Sequence, residues 1–135
     1  MELVVDANIL FSFFNKRSRA RQILISGEVI LHSPEFALKE LEEHKPRIIA
    51  TFSLSESQFE FIMKLLKSVV EFSPEEEYSS LLDKAEEISP DPDDVDFFAL
   101  ALKHNCAIWS NEGRLKEQSA IEILDTEKVA ELFGF

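Results

Sequence analysis

The sequence predicts an α/β fold in which helices cover both faces of a mostly parallel sheet. Short apolar runs such as ELVVD at 2–6 and CAIWS at 106–110 have the length and composition of buried strands. Helical segments separate these runs along the chain, which is typical of parallel sheets. With 45% hydrophobic residues among 135, the chain can bury one core, and residues 1–135 are expected to form one domain.

Each element follows from local signals. The first helix, which starts after residue 6, is expected to be irregular near Asn15, and Pro46 should break the helix that ends at about His44. Serine is predicted to cap three helices, at Ser33 with Pro34 next to it, at Ser55 with Gln58, and at Ser73 with Glu76. The predicted strands cover residues 2–6, 28–33, 68–72, 106–110 and 121–125.

Composition restricts the classes of protein and of partner. No apolar run reaches the ~20 residues that a membrane helix needs, and no secretory signal is recognisable. The single cysteine, Cys106, cannot form an internal disulfide, so a cytoplasmic location is expected. A formal net charge of -12 opposes nucleic-acid binding by the average surface, so RNA would need a local basic patch or a bound metal.

Four acids stand where an acid is unexpected. Asp6 closes the first strand and precedes a helix, a position that suits a functional acid and also suits the N-cap of the helix. Asn8 could orient the Asp6 carboxylate or help to cap the same helix. Glu40 lies nearer the apolar face of its helix than its acidic neighbours do, although most helix acids are solvated. Asp94 shares a face with Phe97 and Phe98, although it also fits an acidic helix start.

The fourth acid, Glu112, follows the strand that ends in Trp109-Ser110. Ser110 and Asn111 are predicted to be caps, or donors that hold an acid in place. Asp96 lies on the side of Lys103 and is placed as a supporting residue, while Glu112 also fits a surface position. Because ionised acids are rarely buried without a counter-charge, the set of four predicts a divalent cation, and oxygen ligands suit Mg²⁺ or Mn²⁺.

A basic segment interrupts the acidic chain. KRSRAR contains Lys16, Arg17, Arg19 and Arg21, which could follow an RNA backbone, dock an acidic partner or complement a helix end. His32, His44 and His104 show no zinc-site spacing and are expected at the surface or as caps.

The ordered set of motifs resembles the PIN-domain family, which includes the VapC-type toxins of toxin–antitoxin pairs. The resemblance rests on four segments in the family's order: LVVDANILFSFF, SPEFALKELEEH, DDVDFFALALKHNCAIWSNE and IEILDTEKVAELF. It places Asp6, Glu40 and Asp94 at the family's first three acids, and Ser110-Asn111-Glu112 at its fourth motif, where the family usually has aspartate.

The resemblance implies a three-layer α/β/α fold with a five-stranded parallel sheet of order 3-2-1-4-5. It also implies a Mg²⁺- or Mn²⁺-dependent ribonuclease, an antitoxin partner and a homodimer. One alternative is a PIN fold with a weak or inactive site that serves as a binding or assembly module. Another is a phosphatase of the haloacid-dehalogenase type, but it would require an aspartate where this chain has Asn8.

Overall fold

A computed structural model describes residues 1–135, and at its centre lies a parallel sheet of five strands in the order β3-β2-β1-β4-β5. This order and the parallel pairing confirm the predicted fold class. The strands are β1 (Glu2–Val5), β2 (Ile30–Pro34), β3 (Val70–Ser73), β4 (Ala107–Trp109) and β5 (Ile123–Leu124).

Eight α-helices connect and cover the strands, and short 3-10 turns precede α6 and α7. None of the helices has the length and apolar character needed to cross a membrane. The α-helices are α1 (Ala7–Ser12), α2 (Arg19–Leu24), α3 (Glu35–Glu43), α4 (Lys45–Phe52), α5 (Glu56–Val69), α6 (Leu82–Ile88), α7 (Val95–His104) and α8 (Thr126–Phe133).

The core follows the apolar pattern of the elements. Full burial is found for Val4 and Val5 of β1 and for Phe98 and Leu100 of α7. Helix α5 begins with the predicted capping box: the Gln58 amide donates to the Ser55 hydroxyl at 3.1 Å, and the Ser55 amide donates to the Gln58 side chain at 2.8 Å. The apolar side of this helix, which includes Phe59 and Leu66, is buried.

The helix expected directly after β1 is divided, as the irregularity predicted near Asn15 implies. The Asn15 side chain accepts from the Arg17 amide at 3.1 Å, and the Asn15 carbonyl accepts from the Ser18 amide at 2.9 Å. Ser18 then caps α2 by accepting from the Arg21 amide at 3.3 Å. These local bonds compete with the helical ladder, so α1 ends and α2 begins as a separate helix.

Two predicted serine caps are wrong because both serines belong to strands. Ser33 donates its hydroxyl to the Val5 carbonyl at 2.9 Å, and β2 continues through Pro34, which pairs with Ser73 of β3. The segment after Ser73 forms only a 3-10 turn, in which no side chain caps the start. Pairing between neighbouring strands has overridden the local capping signal in both places.

The prediction that the histidines lie at the surface or act as caps is wrong for His32. Its side chain is only 3% exposed, and its ring stacks on that of His104 with 3.7 Å between ring centroids. His32 lies in β2 and His104 in the last turn of α7, so the pair joins the sheet to the helix that covers it.

Candidate metal site at the carboxyl edge of the sheet

The first acid of the site is placed by the end of β1. Asp6 follows the last residue of that strand, and its backbone amide donates to the Trp109 carbonyl of neighbouring β4 at 3.2 Å. Its side chain caps α1 by accepting from the Ile9 amide at 2.9 Å. Asp6 can therefore cap the helix and also belong to a site, because only one of its carboxylate oxygens accepts from α1 and the other lies toward the end of β4.

A serine connects Asp6 to the end of β4. The Ser110 hydroxyl donates to the second carboxylate oxygen of Asp6 and accepts from the Glu112 amide at 3.0 Å. Asp6 is 3% exposed and Ser110 is 1% exposed, so both groups are shielded from water. Burial raises the pKa of Asp6, and the nearby Glu112 carboxylate adds to the rise, while the bonds from Ser110 and Ile9 oppose it.

Three further carboxylates approach one another beside this pair. Asp91, Asp94 and Glu112 each offer an oxygen, and these atoms all lie within 4.8 Å of one another. Asp94 ends the 3-10 turn that leads into α7, and Glu112 follows β4, so two distant segments meet at one edge of the sheet. Two of the four acids predicted from the sequence, Asp94 and Glu112, are thus brought together.

Asp91 was not among the site residues predicted from the sequence. Asp91 caps the 3-10 turn by accepting from the Asp93 amide at 2.9 Å, and its other oxygen accepts from the Arg114 guanidinium at 3.2 Å. The sequence offered a signal in the loop ISPDPDD, where Asp91 precedes a proline as a turn-capping aspartate does. The contact with Arg114 spans 23 positions and has no local signal.

The crowding of these acids has an electrostatic consequence. Burial, followed by repulsion from Glu112, Asp91 and Asp6, raises the pKa of Asp94 to about 7. A carboxyl group in this setting keeps its proton near neutral pH unless a positive charge replaces it. The donor set consists of oxygens alone, which are the ligands that Mg²⁺ and Mn²⁺ prefer.

Glu40 does not point inward as predicted. It is exposed on α3, although the neighbouring Ala37 and Leu41 of the same helix are buried, and it is not part of the close group of carboxylates. Its position beside the apolar face of the helix therefore leaves its carboxylate in solvent. Its role as a metal ligand stays a prediction.

Asp96 points to a different partner. The Tyr78 hydroxyl donates to Asp96 Oδ2 at 2.5 Å, and Tyr78 is 2% exposed. Burial and this bond to Asp96 raise the pKa of Tyr78 above its ordinary value. The side chain of Asp96 is thus engaged in fixing the segment before α6 against α7, and its predicted support of the site is untested.

The two asparagines also have contacts of their own. Asn8 is exposed in the first turn of α1, and its carbonyl accepts from the Ser12 hydroxyl at 3.1 Å. The side chain of Asn111 accepts from the Thr126 amide at 2.8 Å, which ties the end of β4 to the start of α8. The N-cap of α8 is Asp125, so Asn111 adds a bond to the first amide of that helix from a distant segment, and its predicted roles beside Glu112 stay untested.

The four cations of the basic segment differ in their surroundings. Lys16, Arg17 and Arg19 are all exposed, but Arg19 donates to the Phe135 carbonyl at 2.8 Å. Arg21 is partly buried, donates from Nε to the Phe13 carbonyl at 2.6 Å and lies over the Phe13 ring. Burial lowers the pKa of Arg21. Two of the four cations therefore have structural partners, and Lys16 and Arg17 are the freer pair.

Lys16 and Arg17 border a groove of 690 Å³ between the α1–α2 connection and the ends of α4 and α5. Phe61, which is 66% exposed, and Ile25, which is 48% exposed, contribute apolar surface to it. No aspartate or glutamate lines this groove, although the chain as a whole carries a net charge of -12.

Comparison with known proteins agrees with this architecture. The chain resembles a chain in the crystal structure of VapBC2 from Rickettsia felis bound to a DNA fragment from their promoter. The TM-score is 0.64 at 15% sequence identity, over 93% of this chain and 98% of the other. No curated protein matches the sequence significantly. The family model for the PIN domain matches residues 4–132, nearly the whole length, and this chain therefore belongs to the PIN-domain family.

Proposed function

We propose that this protein is a metal-dependent endoribonuclease that hydrolyses phosphodiester bonds of single-stranded RNA. The observation that carries the proposal is the group Asp91, Asp94 and Glu112 beside buried Asp6, in which repulsion and burial raise the pKa of Asp94 to about 7. This arrangement is unfavourable without a cation and becomes favourable with one. Family membership adds support, because PIN domains are generally nucleases.

Each side chain has a separate part in the proposed reaction. Asp94, Glu112 and Asp6 would hold Mg²⁺ or Mn²⁺, with Asp91 shared between the ion and Arg114. When bound, such an ion lowers the pKa of a coordinated water and offsets the charge of the scissile phosphate. Ser110 keeps Asp6 oriented by its hydroxyl donation, and the Ile9 amide fixes the other oxygen.

The chain offers no better nucleophile than water. Burial raises the pKa of the Cys106 thiol to about 11, so it is protonated at neutral pH. Ser110 is buried, and its hydroxyl is already committed to Asp6 and to the Glu112 amide. Hydrolysis by an activated water is therefore the reaction that these groups support.

The activity is tested by cleavage of an unstructured RNA pool with Mg²⁺ or Mn²⁺, with EDTA lanes beside it. We expect Asp94→Asn to lower the rate by at least about a hundredfold, because removal of an electrostatic stabiliser of the transition state has that effect. Glu112→Gln should lose less, since its longer side chain adapts through water. Asp83→Asn, which changes an exposed acid of α6, is the matched control and should keep full activity.

Cleavage that persists equally in EDTA and in Asp94→Asn would reveal a contaminant and remove support for the proposal. Absence of cleavage in every lane, with Mn²⁺ shown to be bound, would favour the alternative of a binding or assembly module. In that case the acid cluster would be a structural cation site.

We further propose that Lys16 and Arg17, together with exposed Phe61, contact the RNA strand. Cations that follow phosphates beside aromatic rings that stack on bases are the usual means of binding single strands. The groove supplies both kinds of group on a surface that lacks acids. This groove would let RNA bind locally, although the chain as a whole is strongly acidic.

The double variant Lys16→Ala/Arg17→Ala should weaken RNA binding and lower the salt slope of log K by about 1.4, because two phosphate contacts on a single strand are lost. Binding is measured by fluorescence anisotropy across a salt series in the Asp94→Asn background, which prevents cleavage. Lys84→Ala/Lys128→Ala removes the same charge from exposed positions on α6 and α8 and serves as the control. Unchanged binding would instead make this surface a docking site for a protein.

The likeness to a VapBC2 structure motivates a biological proposal, that this protein is the toxin of a toxin–antitoxin pair acting in the cytoplasm. An open reading frame for a short antitoxin directly beside this gene, and a copurifying complex, would support it. Formation of a homodimer is proposed with it and is tested by sedimentation.

A further inference from the structure

A second cluster of metal-ligating side chains lies at the other end of β1. Glu2 is the first residue of β1, His32 lies in the middle of β2, and His104 ends α7. Asp6 follows the last residue of the same strand, four positions after Glu2, which corresponds to about 13 Å of extended chain. The cluster is therefore separate from the acid site and shares no side chain with it.

The three side chains are already close. His32 Nε2 lies 2.9 Å from Glu2 Oε1, and one ligand atom from each of Glu2, His32 and His104 lies within 4.8 Å of the others. His32 Nδ1 faces Glu71 Oε2 of neighbouring β3 at 3.6 Å, which exceeds hydrogen-bond distance. Nδ1 and Nε2 lie on opposite sides of the ring, so Glu71 faces the nitrogen that a cation bound between Nε2 and Glu2 leaves free, and it would support the ligand as an acceptor.

Two ring nitrogens of this cluster have no hydrogen-bond partner. His32 Nδ1 and His104 Nε2 are both buried and unpaired, and His32 is 3% exposed. A buried polar atom without a partner loses its hydrogen bonds to water and gains none in return, so two such atoms at one place call for an explanation. Packing alone would be served equally well by apolar side chains, which carry no such penalty.

We propose that Glu2, His32 and His104 bind a divalent cation of the zinc class. Two imidazoles and one carboxylate are the donors of three-ligand zinc sites, and the nitrogen donors distinguish this set from the all-oxygen cluster at the opposite edge. The cation would connect β1, β2 and the end of α7, and so act as a clip between the sheet and its covering helix. This proposal does not rest on the proposed nuclease function.

Binding requires one rearrangement. The two imidazole rings are stacked with an angle of 11° between their planes, so their lone pairs do not converge on one point. His104 is only partly buried and is the last residue of α7, so its ring is the one of the two that would turn. Glu2 is 38% exposed and leaves a path from solvent. Cation binding should therefore separate the stacked rings.

The experiment measures zinc binding to the full chain by competition with a chromogenic chelator. The wild-type chain should take one equivalent that His104→Asn and Glu2→Gln each weaken by about tenfold or more, as loss of a ligand does. His44→Asn, which changes an exposed histidine at the end of α3, is the matched control and should bind as the wild type does. Asp94→Asn should likewise retain this equivalent, because it belongs to the other cluster.

A second measurement identifies the ligand atoms. Long-range proton–nitrogen NMR spectra should show shifts of the His32 and His104 ring nitrogens on addition of Zn²⁺, with no shift for His44. Melting temperature should rise with Zn²⁺ in the wild type and in His44→Asn, and much less in His104→Asn. The proposal is overturned if no equivalent binds, if His104→Asn binds as tightly as the wild type, or if Asp94→Asn alone abolishes the effect.

Discussion

Asp94 illustrates how its neighbours set the behaviour of a single residue. Burial and four nearby carboxylates raise its pKa to about 7, far above the 3.8 of a free aspartate. Because the pKa is higher in the folded state than in the unfolded state, the folded chain holds this proton at pH values between the two, where the unfolded chain has lost it. Stability of the metal-free protein should therefore fall as pH rises from about 4 to about 7, and then level off.

Asp94→Asn should remove most of this pH dependence and stabilise the metal-free protein at pH 7.5. We expect a gain of about 1–2 kcal/mol, well below the value for a fully buried group, because the half-exposed carboxyl is partly screened by solvent. Urea unfolding in EDTA at several pH values measures it. Asp83→Asn, which removes an acid from the first turn of α6, should leave the slope unchanged, and an unchanged slope in Asp94→Asn would contradict this assignment of the pKa.

Among the secondary-structure elements, α5 shows that a local signal can be sufficient. Its capping box satisfies two amides at the helix start, both at positions exposed to solvent, and no tertiary contact competes for them. Ser33 and Ser73 carry similar signals, but their neighbours pair across the sheet. A capping signal in the sequence thus predicts a helix start reliably where the preceding residues pair with no strand. It is unreliable where those residues belong to a strand.

Ser55→Ala should destabilise the protein by about 1 kcal/mol, because it removes a side-chain acceptor from the start of α5. Chemical denaturation with unchanged slope is the measurement. Ser57→Ala changes an exposed serine of the same helix that caps nothing, and it should lower the stability less. Equal losses in the two variants would show that helix propensity, and not the cap, is responsible.

On the scale of the whole molecule, charge and cation binding are coupled. The chain carries a net charge of -12, and part of it is concentrated where Asp91, Asp94 and Glu112 meet. A cation that binds only the folded state stabilises it by mass action, and it also relieves the local repulsion. The free energy of unfolding should therefore depend on divalent cations as well as on the hydrophobic core.

Mn²⁺ at about a hundred times its dissociation constant should stabilise the wild type by roughly 2.7 kcal/mol, and Asp94→Asn by much less. Differential scanning calorimetry with and without EDTA measures the shift. His104→Asn serves as the control, because it lies in the nitrogen-donor cluster and should keep the full response to Mn²⁺. Equal shifts in the wild type and Asp94→Asn would argue against a shared acid site.

The sequence by itself was sufficient for the fold class. Apolar strands alternate with helices, and the periodicity of α5 and the box at its start are local properties that need no knowledge of distant contacts. The strand order followed from resemblance to a family, and the observed pairing of the strands agrees with it. Asp6 and Asp94 were identifiable because a strand end and a helix face are also readable along the chain.

Only the tertiary structure decided which groups meet. Asp91 joins the acid group through a turn, and Glu40 remains exposed, because both outcomes depend on how α3 and α7 are placed against the sheet. His32 and His104 are 72 positions apart in sequence, and no spacing rule predicts that their rings stack. Contacts between distant segments depend on packing and strand register, whereas helix and strand periodicity are set by neighbouring residues.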